Sequence, residues 1–290
     1  MEQLCEQEFV TLVRGLLSEE SRSSPAAGEL FVFPKTITRV KIDVGMSLDA
    51  GHTQKWLLAD PNLLVIGFEP LTRCRESIEK IFAQAPLGSS FRRRLWLLPL
   101  ALGSKNTWAK FFHCEDPGQS SIYLPKKFQI LEEIVVPQVK LDLVLNQLSF
   151  SERVQRIDHV KTDCQGADFE IAIGASQNLH RIAIWTSEAD SLGYSRSSNK
   201  SRDLLKFFKK AGFTWFNQRS QLRVAIGKII LGSRFHQLYL DLTSALNKAY
   251  QSKSEVVAST VDIHVEDATF VNSRFSEEIA GREITAFQQG

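Results

Sequence analysis

The stretch Arg39-Val-Lys-Ile-Asp43-Val-Gly45-Met-Ser47 indicates a strand that ends in an acid and a glycine just before a helix. In an open parallel sheet, the carboxyl ends of the strands form a crevice in which ligands bind. A glycine in the first turn lets backbone amides approach a bound molecule closely. We therefore expect a ligand site at Asp43 and Gly45, although an ordinary strand-to-helix turn would have the same sequence pattern.

A second acid ends the next apolar run, Val65-Ile-Gly-Phe-Glu69-Pro70. A carboxylate at this position can accept two hydrogen bonds from a ribose diol. An isolated Glu-Pro is also typical of a turn or a helix cap, but two acids at neighbouring strand ends favour a nucleoside cofactor. The Gly-x-Gly-x-x-Gly pattern of dinucleotide sites is absent, which disfavours a nicotinamide-dependent oxidoreductase. A carboxylate at Asp43 suits instead a ligand with a cationic sulfonium and an α-amino group.

From about Val40, short apolar runs alternate with amphipathic segments. This pattern predicts an α/β fold with a doubly wound, mostly parallel sheet and helices on both faces. The predicted strands are 39–44, 63–68, 95–102, 157–162, 182–187 and 268–272. The predicted helices are 53–59, 72–83, 167–179 and 200–211, with Gly212 as the stop of the last one. Residues 107–123 predict a hairpin-like excursion with a loop at Asp116-Pro-Gly118.

The domain organisation follows from the same pattern. Residues 1–35 read as an amphipathic helix followed by a linker rich in Ser, Pro and Gly. Residues 36–290 read as one main domain, with an insertion near 218–266 before the last strand. Because loops and insertions at the carboxyl edge of a sheet commonly contact substrates, we expect the insertion to help select the substrate.

The stretch Ile157-Asp-His-Val-Lys161-Thr-Asp163-Cys-Gln165-Gly-Ala-Asp168-Phe-Glu170 has the most specific pattern in the chain. It resembles the FkbM methyltransferases, in which an apolar strand ends Lys-Ile-Asp and is followed by x-Glu-Gly-x-Glu and a helix that closes with Gly-Ala. Gly174-Ala175 matches that closing pair. The likeness extends through Val139-Lys-Leu-Asp142 and Ala101-Leu102-Gly-Ser104, and covers about 40–215 together with 268–272.

The resemblance implies a class I methyltransferase sheet with an antiparallel terminal strand. It also implies S-adenosyl-L-methionine as the methyl donor and a hydroxyl oxygen, on a small molecule or saccharide, as the acceptor. The residues that we expect to bind the donor lie at the first strand ends and in the Ala-Leu pair that follows: Asp43, Gly45, Ser47, Glu69, Pro70, Ala101 and Leu102.

The chain departs from the family pattern at sensitive positions. Met46 and Ser47 replace the usual Ala-Asn after the first strand, and Gln165 and Asp168 stand where the family usually has Glu. One carboxylate is thereby lost and another is shorter by one methylene. These departures keep open an alternative, a catalytically inactive S-adenosylmethionine-binding relative with a binding or regulatory role.

Methyl transfer to a hydroxyl needs alignment of the reactants and a group that takes the acceptor's proton. Asp163 is our first candidate for that base or orienting group, and a helix-capping role is the alternative. Lys161 is expected on the same strand face, where it would pair with Asp163 or attract an anionic substrate. His159 is a reserve candidate, although a buried structural histidine is the more common case. We expect Gln165 and Glu188 to contact the substrate, and we expect no metal.

Composition excludes several classes of protein. With 35 Lys plus Arg against 33 Asp plus Glu, the net charge is only +2, so no global charge favours nucleic acid or an anionic membrane. The four cysteines form no Cys-x-x-Cys pair, and no apolar run is long enough for a membrane span. These features predict a cytoplasmic protein that binds neither nucleic acid nor membranes, with the oligomeric state left open.

Overall fold

The computed structural model describes residues 6–84, 88–188, 193–195, 201–216 and 267–275. The helices are α1 (Glu6–Ser21), α2 (Gly51–Ala59), α3 (Thr72–Ala83), α4 (Gly88–Arg92), α5 (Leu141–Leu145), α6 (Asp168–Gly174) and α7 (Ser201–Lys210). The strands are β1 (Phe31–Val32), β2 (Arg39–Val44), β3 (Leu63–Phe68), β4 (Leu95–Leu98), β5 (Ala101–Leu102), β6 (Thr107–Cys114), β7 (Ile130–Val139), β8 (Leu148–Ser149), β9 (Ile157–Thr162), β10 (Ile182–Glu188), β11 (Phe213–Phe216) and β12 (Asp267–Asn272). The predicted insertion near 218–266 lies outside the described residues.

The central sheet has, within the described part of the chain, the strand order β11-β12-β10-β9-β2-β3-β4. The five strands from β10 to β4 are parallel to one another, and β12 runs antiparallel to both β10 and β11. The predicted α/β fold with a mostly parallel sheet and an antiparallel terminal strand is therefore confirmed. Strand β11, which the sequence analysis did not predict, is an edge strand of four residues.

Helices cover both faces of this sheet, because its central strands are apolar on both sides. On one face, Val40 and Ile42 of β2 belong to a core that also contains buried residues of α1, α5, α6 and α7. On the other face, Val65 of β3 packs with buried residues of α2, α3 and α4. The N-terminal helix contributes Phe9 and Val13 to the first core and is part of the same packed body.

The predicted strand at 95–102 is wrong in one respect, because two strands occupy this range. Strand β4 ends at Leu98, and β5 pairs with β7 in a second, three-stranded sheet of order β5-β7-β6. Pro99 separates the two strands, and a proline cannot donate the backbone hydrogen bond that would continue the ladder. The chain therefore leaves the central sheet at its carboxyl edge.

The predicted helix at 167–179 is also too long, since α6 ends at Gly174. The Asp142 carboxylate accepts hydrogen bonds from the backbone N–H groups of Gln177 and Asn178, both at 3.0 Å. These bonds hold the chain in a turn where a longer helix would have continued. A Cβ on Gly174 would overlap the carbonyl oxygen of Gly103, so a glycine allows the close approach of the two segments.

The predicted hairpin-like excursion exists and is larger than expected. Strand β6 pairs antiparallel with β7, and the connection includes a single 3-10 turn, Pro117–Gln119. Phe112 forms an isolated bridge with Ser121, which folds the connection back toward the sheet. This hairpin brings its apolar side chains over the carboxyl edge of the central sheet. No helix in the described residues is long and apolar enough to cross a membrane.

Candidate active site

A cleft opens at the carboxyl ends of β2, β3 and β9, where the sequence predicts a ligand site. The space between its walls, including the open mouth, is about 540 Å³. Its walls include the following residues that were predicted to bind donor or substrate or to catalyse: Gly45, Ser47, Glu69, Pro70, Ala101, Leu102, Asp163 and Gln165.

The turn after β2 is built on Gly45, whose φ of 78° lies in the left-handed region. Its N–H donates to the Phe68 carbonyl at 3.1 Å, and the Asp163 N–H donates to the Val44 carbonyl, also at 3.1 Å. These bonds extend the ladders on both sides of β2 into the turns that form the cleft. The turns that line the cleft are therefore held in place by hydrogen bonds among the ends of β2, β3 and β9.

Glu69 places a buried carboxylate in the cleft wall. One oxygen accepts from the Ser47 N–H and the other from the Leu71 N–H, both at 3.0 Å. Burial raises the pKa of Glu69 to about 7, against the effect of these two bonds and of the Arg75 charge. A backbone hydrogen bond from Met46 also acts on this carboxylate, which can accept up to four hydrogen bonds in all. A ligand hydroxyl that donated to it would therefore stabilise the charged form of Glu69.

Residues with positive φ concentrate around the cleft. Ser47 and Gln165, both in the cleft wall, have φ values of 56° and 51°, and Ala50 at the start of α2 has 51°. A non-glycine residue in this region costs free energy, and such residues cluster at functional sites. Two of the positions at which the chain departs from the family pattern, Ser47 and Gln165, therefore adopt the same unusual backbone conformation.

Lys161 lies between two carboxylates on adjacent strands. Its Nζ is 3.6 Å from Asp43 Oδ1 and 3.6 Å from Asp163 Oδ2, and it donates to the Gly45 carbonyl at 3.3 Å. Burial lowers the pKa of Lys161, but the Asp43 and Asp163 carboxylates outweigh burial and raise the pKa above its usual value. Lys161 therefore remains charged, and it links the β2 turn to the end of β9.

The structure places Asp43 beneath the cleft, apart from the other residues that were expected to bind the donor. The Asp43 side chain is 1% exposed, lies outside the cleft wall, and accepts a hydrogen bond from Thr53 Oγ1 at 2.7 Å. With Lys161 on its other side, Asp43 joins the start of α2 to strand β9. Its position supports the turn beneath the cleft.

Asp163 differs from Asp43 in its exposure, because 46% of its side chain is accessible and it lines the cleft. The alternative in which Asp163 caps the following helix does not fit the structure. Helix α6 begins at Asp168, and its N-cap position is Ala167, which makes no side-chain cap bond. Asp163 is therefore available to a molecule in the cleft.

Asp168 is buried beneath the same turn. Its Oδ2 accepts from the Cys164 N–H at 3.4 Å. Burial raises the pKa of Asp168 to about 7, against a hydrogen bond from Thr162, and the Asp163 charge adds to the rise. The shorter side chain at this position thus forms part of the support beneath the cleft.

The comparisons with known proteins agree with this architecture. The family described as the methyltransferase FkbM domain matches residues 52–214, more than half of the 290-residue chain. The chain belongs to the FkbM methyltransferase family. The match begins after the β2 turn, so the unusual Met46–Gly51 loop lies outside it. No curated protein matches the sequence.

Three solved structures with a similar fold are each at most 13% identical to this FkbM-family chain. An FkbM methyltransferase from Methylobacillus flagellatus KT is 11% identical with a TM-score of 0.39, and the match covers 66% of this chain and 41% of that one. Precorrin-6y C5,15-methyltransferase from Geobacter metallireducens GS-15 is 11% identical with a TM-score of 0.34, and the match covers 73% of this chain and 75% of that one. The N-terminal domain of human METTL16, in complex with SAH, is 13% identical with a TM-score of 0.32, and the match covers 75% of this chain and 68% of that one. This chain thus spans less than half of the Methylobacillus protein.

Two further predicted site residues of this FkbM-family chain lie away from the cleft. His159 Nε2 is 2.9 Å from Thr186 Oγ1, and its ring packs 5.2 Å from that of Trp56. Burial, with the charges of Lys41, His52 and Lys161, lowers the pKa of His159 well below its usual value. The ring is therefore neutral, and its contacts give it a structural role. Glu188 ends β10 and is also absent from the cleft wall.

The sequence analysis missed the part of the cleft wall that comes from the excursion. Phe111 of β6, Pro117 and Gly118 of the 3-10 turn, and the following Ser120 and Ile122 all line the cleft. The loop signal at Asp116-Pro-Gly118 located this turn along the chain, but nothing local indicated that it would fold over the strand ends. Among the described residues, no group of three or more His, Cys, Asp or Glu side chains could hold a metal ion.

Proposed function

We propose that this FkbM-family protein transfers a methyl group from S-adenosyl-L-methionine to a hydroxyl oxygen of a small molecule or saccharide. One observation carries the proposal: a buried carboxylate, Glu69, and an accessible carboxylate, Asp163, line the same cleft. Glu69 is suited to bind a polar group of the methyl donor, whereas Asp163 is suited to contact the reacting group of the acceptor. The family membership gives the reaction class.

The residues of the cleft fit a nucleoside-containing donor. Glu69 accepts backbone hydrogen bonds from Ser47, Leu71 and Met46 and has a pKa of about 7, so a further hydrogen bond from a ligand hydroxyl would favour its charged form. Gly45, Ser47 and Pro70 surround it, and the Ala101-Leu102 pair forms an apolar wall nearby. In this proposal these residues hold the donor, which when bound supplies a methyl group already activated by a sulfonium centre.

Asp163 acts on the acceptor in the proposed reaction. Its carboxylate accepts a hydrogen bond from the acceptor hydroxyl and takes the proton as the oxygen gains the methyl group. The Lys161 ammonium, 3.6 Å from Asp163 Oδ2, stabilises the charges at this end of the cleft. Phe111 and Ile122 of the excursion narrow the cleft and exclude water. Little other chemical assistance is needed, because alignment supplies much of the acceleration.

Donor binding and turnover test the two halves of the proposal separately. Titration calorimetry of the full chain with S-adenosylmethionine and with S-adenosylhomocysteine should give saturable binding of both. Transfer of a labelled methyl group should then be measured with a panel of sugars, polyols and phenols. Absence of donor binding would refute the proposal. Tight donor binding without transfer to any hydroxyl compound would instead support the inactive, ligand-binding alternative.

A further inference from the structure

The side-chain amide of Gln165 lies between Asp163 and Tyr194. Its Nε2 is 3.0 Å from Asp163 Oδ1, and its Oε1 is 2.9 Å from the Tyr194 hydroxyl. Because a charged carboxylate only accepts hydrogen bonds, the amide nitrogen must be the atom that faces Asp163. The amide oxygen then faces Tyr194 and accepts from its hydroxyl. Both ends of the Gln165 amide are therefore engaged within the protein.

The excursion over the cleft holds this arrangement from the other side. Ser121 Oγ donates to the Gln165 carbonyl at 2.8 Å, and the Tyr194 hydroxyl also lies 2.9 Å from the Gln119 carbonyl. Gln119 Oε1 lies 3.1 Å from the same hydroxyl, which has one proton and donates to one of these three acceptors at a time. Burial raises the pKa of Tyr194, so its hydroxyl keeps that proton. Tyr194 is itself placed by a backbone bridge to Pro125.

We infer that Gln165 is a positioning residue: it orients the Asp163 carboxylate toward the cleft and is held in turn by Tyr194 and the excursion. The inference rests on the proposed function only for its effect on methyl transfer. The expectation that Gln165 also contacts substrate stays a prediction, because Gln165 lines the cleft and its amide nitrogen has a second N–H. The amide can donate to the Asp163 carboxylate, which the glutamate that the family usually has at this position can do only when protonated.

Charged and titratable groups surround Asp163 on every side. The Lys161 ammonium is 3.6 Å from Oδ2, and Asp43 lies beyond it. Asp168 and Cys164 lie beneath the turn and interact electrostatically with Asp163, as does Tyr194 across the cleft. Glu188 and Asp116 act on Tyr194. These groups are unchanged by a substitution at Gln165, so differences from the wild-type protein at the same pH isolate the Gln165–Asp163 contact.

The test compares Gln165→Glu with Gln165→Met by thermal unfolding at pH 5 and pH 8. A protonated glutamic acid can donate to Asp163 as the amide does, whereas an ionised one repels it. The introduced carboxyl group and Asp163 then titrate as a pair whose folded-state pKa is raised, and stability is lost as the pH rises through it. We expect Gln165→Glu to match the wild-type Tm at pH 5 and to lose about 3 °C or more at pH 8. Gln165→Met, which cannot donate, should lose the same amount at both pH values.

A second comparison tests the Tyr194 contact. Tyr194→Phe should lower the Tm of the wild-type protein more than that of Gln165→Met, because in Gln165→Met the hydroxyl has lost its Gln165 acceptor and keeps only the two oxygens of Gln119. The inference is overturned if Gln165→Glu and Gln165→Met have the same Tm at both pH values. It is also overturned if Tyr194→Phe lowers the Tm equally in the wild-type protein and in Gln165→Met. Titration of the same proteins with S-adenosylmethionine measures donor binding separately from the stability effects of the Gln165 and Tyr194 variants. Failure of the wild-type protein to bind would reject the proposed function and leave the stability comparison intact.

Discussion

The carbonyl oxygen of Asp163 occupies the space that a side chain on Gly45 would need. An ideal Cβ built on Gly45 overlaps that oxygen, and its φ of 78° already disfavours any residue with a side chain. The turn after β2 and the end of β9 are therefore fitted against each other. The position of Asp163 at the cleft depends on the absence of a side chain at Gly45.

Gly45→Ala should consequently damage both stability and donor binding. The positive φ costs about 1–3 kcal/mol for alanine, and displacement of the Asp163 backbone adds to this cost. We expect a loss of at least about 2 kcal/mol in urea unfolding and a donor Kd at least about tenfold higher. Gly15→Ala is the matched control, because Gly15 is exposed in α1 with no atom within 4 Å of its Cβ position. It should gain about 0.5–1 kcal/mol. Equal stability of the two variants would contradict the steric argument.

Donor binding should depend on pH through Glu69. The pKa of Glu69 is raised to about 7, and hydrogen bonds from a ribose diol favour its charged form. The Kd for S-adenosylmethionine should therefore fall by about tenfold from pH 6 to pH 8, as the fraction of charged Glu69 rises. Glu69→Gln should bind at least about tenfold more weakly at pH 8. Glu69→Gln also controls for any titration of S-adenosylmethionine itself. If the donor Kd depended on pH equally in Glu69→Gln and in the wild-type protein, Glu69 would not belong to the donor site.

Most of the central sheet could be predicted from sequence, because its strands are short runs that are buried on both faces. The predicted bounds of β2, β3 and β9 agree with the observed ones. Strand β7 was missed because its first half, Ile130-Leu-Glu-Glu-Ile134, is largely exposed, and its partner β6 comes from a different apolar run. A strand such as β7, whose formation depends on pairing with β6, has little hydrophobic pattern of its own by which the sequence could identify it.

The location of the candidate site was also predictable, since the carboxyl ends of parallel strands meet at one edge of the sheet. The orientation of its acids was not. Asp43 and Glu69 both end strands, yet Asp43 faces Lys161, its register partner on β9, and only Glu69 reaches the cleft. Asp43 and Lys161 are separated by more than 100 residues, so their pairing is a property of the topology.

Stability should fall between weakly acidic and weakly basic pH because of Asp168. Its pKa is raised from 3.8 to about 7 in the folded protein, so the charged form destabilises the native state. This penalty is absent near pH 4, grows as the pH rises, and is complete above about pH 7. Asp168→Asn removes the charge at nearly constant shape. Its Tm relative to wild type should be higher at pH 8 than at pH 5. Glu152→Gln, at an exposed position, controls for the loss of one charge. A pH-independent difference for Asp168→Asn would contradict the assignment.

Asp163→Asn separates a role in transfer from a role in structure. Asparagine keeps the size of the side chain but cannot accept a proton, so we expect transfer to slow by about 100-fold or more while the donor Kd changes by less than about twofold. The measurement is a single-turnover rate with an acceptor found in the hydroxyl panel, together with a melting curve. Asp116→Asn is the matched control, since Asp116 lies in the same excursion as the cleft wall and only accepts the Gly118 N–H within its turn. Asparagine preserves that bond, and the rate should stay within about threefold of wild type. If Asp163→Asn also stayed within that range, the proton would have to leave by another path, and Asp163 would be only a charged partner for Lys161.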